Sequence, residues 1–106
     1  FIDINCDTYT NYDYPSEVIV HELVHTYDSN TYFNQNKIAL SSTSIVSNLY
    51  NKYVSMSNRP MRDYSYSNKQ EFMADMGEYY FLKYHKNQNI DIPNDIKEFV
   101  EKYLKG

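Results

Sequence analysis

The segment that most restricts how this chain can fold is 21–25, His-Glu-Leu-Val-His, in which two histidines are spaced four residues apart. The surrounding apolar residues recur at the spacing of one helix face: Val20, Leu23, Val24 and Tyr27. Pro15-Ser16-Glu17 is typical of a helix start, and Asp28-Ser29-Asn30 of a helix end. We therefore predict a helix over 17–29, which places both imidazoles on one face, one turn apart.

Three further segments have the periodicity of helices, and we predict them over 42–57, 68–86 and 94–104. The third helix is preceded by Ser67-Asn68-Lys69-Gln70, which has the pattern of a capping box. Ile2 and Ile4 alternate with polar neighbours and predict the end of a short strand. The expected fold class is mainly α, with four helices and at most this strand remnant at the N-terminal end.

Composition limits the class of partner. The 106 residues fit one domain, 1–106, with a single core, and the start at Phe1 suggests a chain cut on its N-terminal side. A net charge of −4 with scattered Lys and Arg argues against nucleic acid, and no apolar run is long enough to span a membrane. Cys6 is the only cysteine, so no intrachain disulfide can form.

The histidine pair on a helix has the spacing to bind one metal ion, and neutral imidazoles suit zinc. Glu22, beside the first histidine, can act as a general base toward water. A catalytic zinc needs a third protein ligand, and Glu71 is suitably placed at the start of the third helix. Asp75 lies one turn further on the same face and can accept the free N–H of a ligating histidine.

From about Val18 to Tyr84 the chain resembles the gluzincin metallopeptidases, and within them the lethal factor-like group that includes the Pro-Pro endopeptidases. The segment 64–71, Tyr-Ser-Tyr-Ser-Asn-Lys-Gln-Glu, is similar to the stretch that in this group leads from a tyrosine to the glutamate ligand. The chain departs from the group in having Val24 where a glycine is common, and in having Asp75 where lethal factor has a glutamate.

The resemblance implies a secreted bacterial zinc endopeptidase that hydrolyses protein or peptide substrates. It implies that the hydroxyl of Tyr64 stabilises the oxyanion, with Tyr66 as the alternative donor two residues away. Gluzincins also carry a small sheet before the motif helix, so this chain would be the helical half of an α+β fold. The competing hypothesis is a non-catalytic fragment of a toxin-like or secreted protein that keeps this half and binds a protein partner. Glu78 is interpreted as a surface residue, and His85 is left out of the site because it lies at the end of the third helix, where a cation suits the helix dipole.

Overall fold

The structure, a computed structural model, describes residues 16–104. This part of the chain is mainly helical and contains no strand, which confirms the predicted fold class at that level. The strand predicted at Ile2 and Ile4 and the side chain of Cys6 lie outside the described residues.

In the described part of the chain four principal helices carry the fold. They run, with the short helical turns between them, as α1 (Ser16–Thr26), a π-helical segment (Tyr27–Tyr32), α2 (Phe33–Asn36), a 3₁₀ turn (Leu40–Ser42), α3 (Ser44–Val54), a 3₁₀ turn (Asp63–Tyr66), α4 (Lys69–Tyr84), α5 (Asn94–Phe99) and a π-helical segment (Val100–Leu104). The first consists of α1, a π-helical segment and α2, the second is α3 and the third is α4. The fourth, the C-terminal helix, consists of α5 and a second π-helical segment.

The first helix does not end near Asn30, as its polar residues predict, but continues to Asn36. Asp28 was expected to help end it, yet this residue is buried and accepts hydrogen bonds from the Ser41 backbone N–H and hydroxyl, at 2.9 and 2.6 Å. The helix ends where Lys37 adopts a left-handed conformation with φ of 63°. The polar run was wrongly interpreted as a helix end because the partner of Asp28 lies elsewhere in the chain.

α4 starts one residue later than its predicted capping box requires. Asn68, rather than Ser67, is the N-cap, and its side-chain oxygen accepts the backbone N–H of Glu71 at 2.8 Å. The hydroxyl of Ser67 donates instead to the carbonyl oxygen of Tyr64 at 2.8 Å. The cap fixes Glu71 in the first turn of α4, where the helix dipole also favours a negative charge.

α4 is the centre of the core and is buried on almost every side. Its apolar residues pack against α1, α3 and the C-terminal helix, and the fully buried ones include Phe72, Met76 and Phe81. Each such side chain contributes about 1.5–3 kcal/mol through its removal from water. No helix in the described part of the chain combines the length and the apolar character that crossing a membrane requires.

Candidate metal centre

Three side chains from the two most tightly packed helices point their donor atoms at one place. His21 and His25 come from α1, and Glu71 comes from the first turn of α4. The Nε2 atom of His21 lies 3.2 Å from Nε2 of His25 and 3.4 Å from Oε1 of Glu71. His25 Nε2 and Glu71 Oε1 are also in direct contact. The structure thus brings together the three residues that the sequence predicts as metal ligands.

These separations can be compared with what zinc requires. Ligand atoms about 2.0–2.1 Å from a tetrahedral zinc ion lie about 3.3–3.4 Å from one another. Two of the three donor pairs therefore have the spacing of a tetrahedron edge. The donor chemistry of two imidazoles and one carboxylate suits zinc equally well.

The other nitrogen of His21 is held by carboxylates from α4. Nδ1 lies 2.8 Å from Oδ1 of Asp75 and 3.5 Å from Oε1 of Glu78. In the neutral ring that a metal ligand requires, Nδ1–H would donate to Asp75 and the Nε2 lone pair would face His25 and Glu71. Asp75, expected to accept the free N–H of a ligating histidine, contacts His21 at this nitrogen. Glu78 was wrongly assigned to the surface, since it is only 7% exposed and lies in the same cluster.

A second set of donors, formed by His21, Asp75 and Glu78, is also close enough to hold a cation. Its negative charge already has a partner, because the Arg62 guanidinium donates to both oxygens of Asp75 at 2.9 and 3.0 Å. The hydroxyl of Ser65 adds a third hydrogen bond, to Asp75 Oδ2 at 2.5 Å. Among the described ion pairs no Lys or Arg pairs with Glu71, so the set formed by His21, His25 and Glu71 is the better candidate metal site.

Ionisation of these groups follows from the same contacts. The hydrogen bonds to Asp75 and Glu78 raise the pKa of His21 to about 10 in the metal-free chain, although burial opposes the shift. Burial would raise the pKa of Asp75, but the hydrogen bonds from His21, Arg62 and Ser65 outweigh it and hold that pKa at about 2. Asp75 therefore remains an anion and a constant acceptor for His21.

Glu71 also remains ionised, which is the state a metal ligand needs. Burial favours its neutral form, yet the hydrogen bond from Tyr64 and the nearby imidazoles lower the pKa of the Glu71 carboxyl below its ordinary value. The same hydrogen bond raises the pKa of the Tyr64 phenol, so this hydroxyl remains a donor at neutral pH.

A cleft of about 470 Å³ opens beside His21. Glu22 and Tyr64 both line it next to His21, and both are exposed to solvent. Beyond them the wall is formed by residues of α1, α4 and the following loop, including Val18, Leu82 and Gln88. A substrate in this cleft would reach the predicted base and the predicted oxyanion donor.

The two candidate tyrosines have different environments. Tyr64 is 53% exposed, and its ring lies 5.4 Å from the Arg62 guanidinium carbon. Tyr66 is buried, and its hydroxyl accepts the backbone N–H of Met61 at 3.3 Å. Of the two, Tyr64 lines the cleft and Tyr66 packs in the core.

Sequence reasoning missed Arg62, Ser65 and Glu78 as parts of the site. Arg62 and Ser65 lie in an irregular stretch around the second 3₁₀ turn, for which periodicity predicts no direction of the side chains. Of the three, only Glu78 could have been predicted from the sequence pattern, since it follows Asp75 by three residues and so shares its helix face.

In comparisons with known proteins, no family model matches the chain, and no curated protein or solved structure is significantly similar to it.

Proposed function

We propose that this chain is the catalytic core of a zinc-dependent endopeptidase, with His21, His25 and Glu71 as the metal ligands. The observation that carries the proposal is the convergence of two imidazole Nε2 atoms and one carboxylate oxygen, with 3.2 and 3.4 Å between the first nitrogen and the other two atoms. These three atoms would repel one another if all of them were unprotonated, and in the metal-free chain the raised pKa of His21 supplies a proton among them. A zinc ion relieves that repulsion for all three at once.

When bound, zinc lowers the pKa of water and polarises the carbonyl of a peptide bond. Glu22 then acts as the general base, since it is exposed in the cleft beside His21 and can take a proton from water. The same carboxyl returns this proton to the leaving amine. Tyr64 donates its hydroxyl hydrogen to the oxygen on which negative charge develops.

Asp75 and Arg62 orient the site. Asp75 keeps Nδ1–H of His21 engaged, which leaves Nε2 free as a ligand atom. Arg62 compensates the charge of Asp75, whose side chain is fully buried. A buried carboxylate without such a partner would be costly in free energy.

The order of the elements supports the proposal that these helices are the helical half of a gluzincin fold. The helix with both histidines is followed by α3, then by the turn with Tyr64, and then by the helix with Glu71. This is the order that the resemblance implies. We propose protein or peptide substrates for the same reason, with the substrate lying in the cleft beside Glu22 and Tyr64.

The deciding experiment combines metal analysis with a peptidase assay on the full chain, purified without chelator or nickel resin. We expect one zinc per chain and hydrolysis of quenched-fluorescent peptides. Glu22→Gln should retain zinc and lose hydrolysis, because the amide keeps the shape of the side chain but cannot accept the proton.

Glu98→Gln is the matched control, since Glu98 is exposed on α5 and contacts Asn94 rather than the site. It should leave hydrolysis unchanged. A chain that binds zinc but cleaves no peptide would support the interaction fragment instead, and activity retained in Glu22→Gln would refute the mechanism.

A further inference from the structure

Gly77 lies in the middle of α4, where a residue without a side chain is unusual. Glycine weakens a helix interior relative to alanine, so its presence there needs a reason. Its backbone is not that reason, because no glycine in the described part of the chain has a positive φ. The reason is space: a Cβ atom added at Gly77 would lie 2.8 Å from Cγ2 of Val24 and 3.5 Å from Cδ1 of Leu104.

The contact with Val24 is the tight one. Carbon atoms that are not bonded pack at about 3.5–4.0 Å, so a methyl group at position 77 would force the two helices or the valine to move. Val24 is fully buried, β-branched and part of α1, which leaves it little freedom to rotate away. The lack of a side chain at Gly77 therefore determines how closely α4 approaches α1.

This contact lies among the residues of the metal centre. Val24 is between His21 and His25 along α1, and Gly77 is between Asp75 and Glu78 along α4. The contact between Val24 and Gly77 is therefore flanked on α1 by the two histidines and on α4 by the acids that contact His21. Metal sites depend on ligand distances within about 0.2 Å, so a change in helix separation of that size reaches the ligands.

We propose that Val24 and Gly77 are a matched pair of positioning residues that set the α1–α4 separation required by the metal centre. The inference rests on the proposed function, because it assumes that His21, His25 and Glu71 bind zinc. It also accounts for the valine at a position where gluzincins commonly have glycine. The space that a valine needs on α1 is provided by the glycine on α4.

The test uses four forms of the full chain: the natural sequence, Gly77→Ala, Val24→Ala and the double variant. Zinc affinity is measured by competition with a chromogenic chelator, and Co²⁺ is used as a probe because its visible absorption bands report coordination geometry. Thermal unfolding of each metal-free form is recorded in parallel. Val46→Ala on α3 is the control, since this valine is fully buried but lies outside the α1–α4 contact.

We expect Gly77→Ala to weaken zinc binding on the order of 10-fold, as for loss of an outer partner of a metal ligand, and to shift the Co²⁺ bands. The double variant should recover both the affinity and the bands, because the clashing Cγ2 atom is gone. Val46→Ala should lower the melting temperature and leave the affinity and bands of the folded chain unchanged. A purely structural role for Gly77 would give this last pattern as well.

Unchanged zinc affinity and Co²⁺ bands in Gly77→Ala would overturn the positioning role while leaving the proposed function intact. A double variant that folds but binds zinc weakly would overturn it too, and this comparison remains decisive if Gly77→Ala alone does not fold. If the natural sequence binds neither Zn²⁺ nor Co²⁺, the proposed function fails and the positioning role fails with it.

Discussion

Two carboxylate clusters in this chain use similar chemistry for different ends. Asp75 on α4 is fully buried and accepts from Arg62, Ser65 and His21. Asp95 on α5 accepts from Lys52 at 2.6 Å and from the Tyr53 hydroxyl at 2.5 Å, with about a third of its side chain exposed. Both clusters pair an acid with a cation and a hydroxyl.

The two clusters differ in the further contacts that the partners of each acid make. The partners of Asp95 connect α3 to α5, and no described residue near them forms a further metal-binding set. His21 instead uses one nitrogen for Asp75 and directs the other toward His25 and Glu71. The Asp75 cluster therefore differs from the Asp95 cluster in having a member whose second nitrogen faces other potential metal ligands.

The largest expected effect comes from removing a ligand. Apparent free energies of zinc binding of about 10–16 kcal/mol are shared among three or four ligands, so Glu71→Ala should weaken zinc binding about 100- to 1,000-fold. Asp95→Ala should leave it unchanged. Chelator competition on both variants checks the comparison, and equal affinities would remove Glu71 from the ligand set.

The next effect separates the exposed tyrosine from the buried ones. Tyr64→Phe should lower kcat about 10- to 1,000-fold with little change in KM, because its hydroxyl acts mainly in the transition state. Tyr66→Phe should have little effect on kcat, since that hydroxyl bonds to the backbone of Met61. Steady-state kinetics on the full chain decide this. The reverse pattern would move the oxyanion role to Tyr66.

A smaller effect on zinc affinity is expected from Asp75, which contacts the Nδ1 atom of His21. Asp75→Asn should weaken zinc binding about 10- to 100-fold, the usual result of removing the hydrogen-bond partner of a ligating histidine. It should also lower the melting temperature more than Asp95→Asn does, because Asp75 is fully buried and Arg62 would lose its anion. Zinc affinity equal to that of the natural sequence would show that Asp75 serves packing alone.

The smallest effect is the pH dependence of the Asp95 cluster. Burial favours the neutral acid, but Lys52 and Tyr53 outweigh it and lower the pKa of Asp95 below its ordinary value of 3.8. Its stabilisation is therefore present above pH 3.8 and disappears as the pH falls through the lowered pKa. Asp95→Asn should cost at most about 1 kcal/mol at neutral pH, the usual range for exposed pairs.

Denaturant unfolding of the natural sequence and of Asp95→Asn, from neutral pH to below pH 3.8, checks the direction of this pH dependence. The stability difference should shrink toward zero as the pH falls below 3.8. A difference that grows on acidification would contradict the assignment.

Much of the fold follows from the sequence because helices leave a local signature. The predicted segments 42–57, 68–86 and 94–104 correspond to α3, α4 and the C-terminal helix, with boundaries that differ by a few residues. The extension of the first helix to Asn36 was missed, because it depends on the hydrogen bonds that Asp28 accepts from Ser41, thirteen positions later. A contact of that kind has no signature in the local pattern.

The sequence by itself determined the donors, since the spacing of His21 and His25 and of Glu71 and Asp75 is fixed by the helix repeat. Only the tertiary structure decided which atoms meet. Arg62, Ser65 and Glu78 join Asp75 and His21 through contacts between elements, and only the packed chain shows that Tyr66 is buried while Tyr64 is exposed. The physical reason is range: helix periodicity acts over a few residues, whereas burial and charge compensation depend on the whole packed chain.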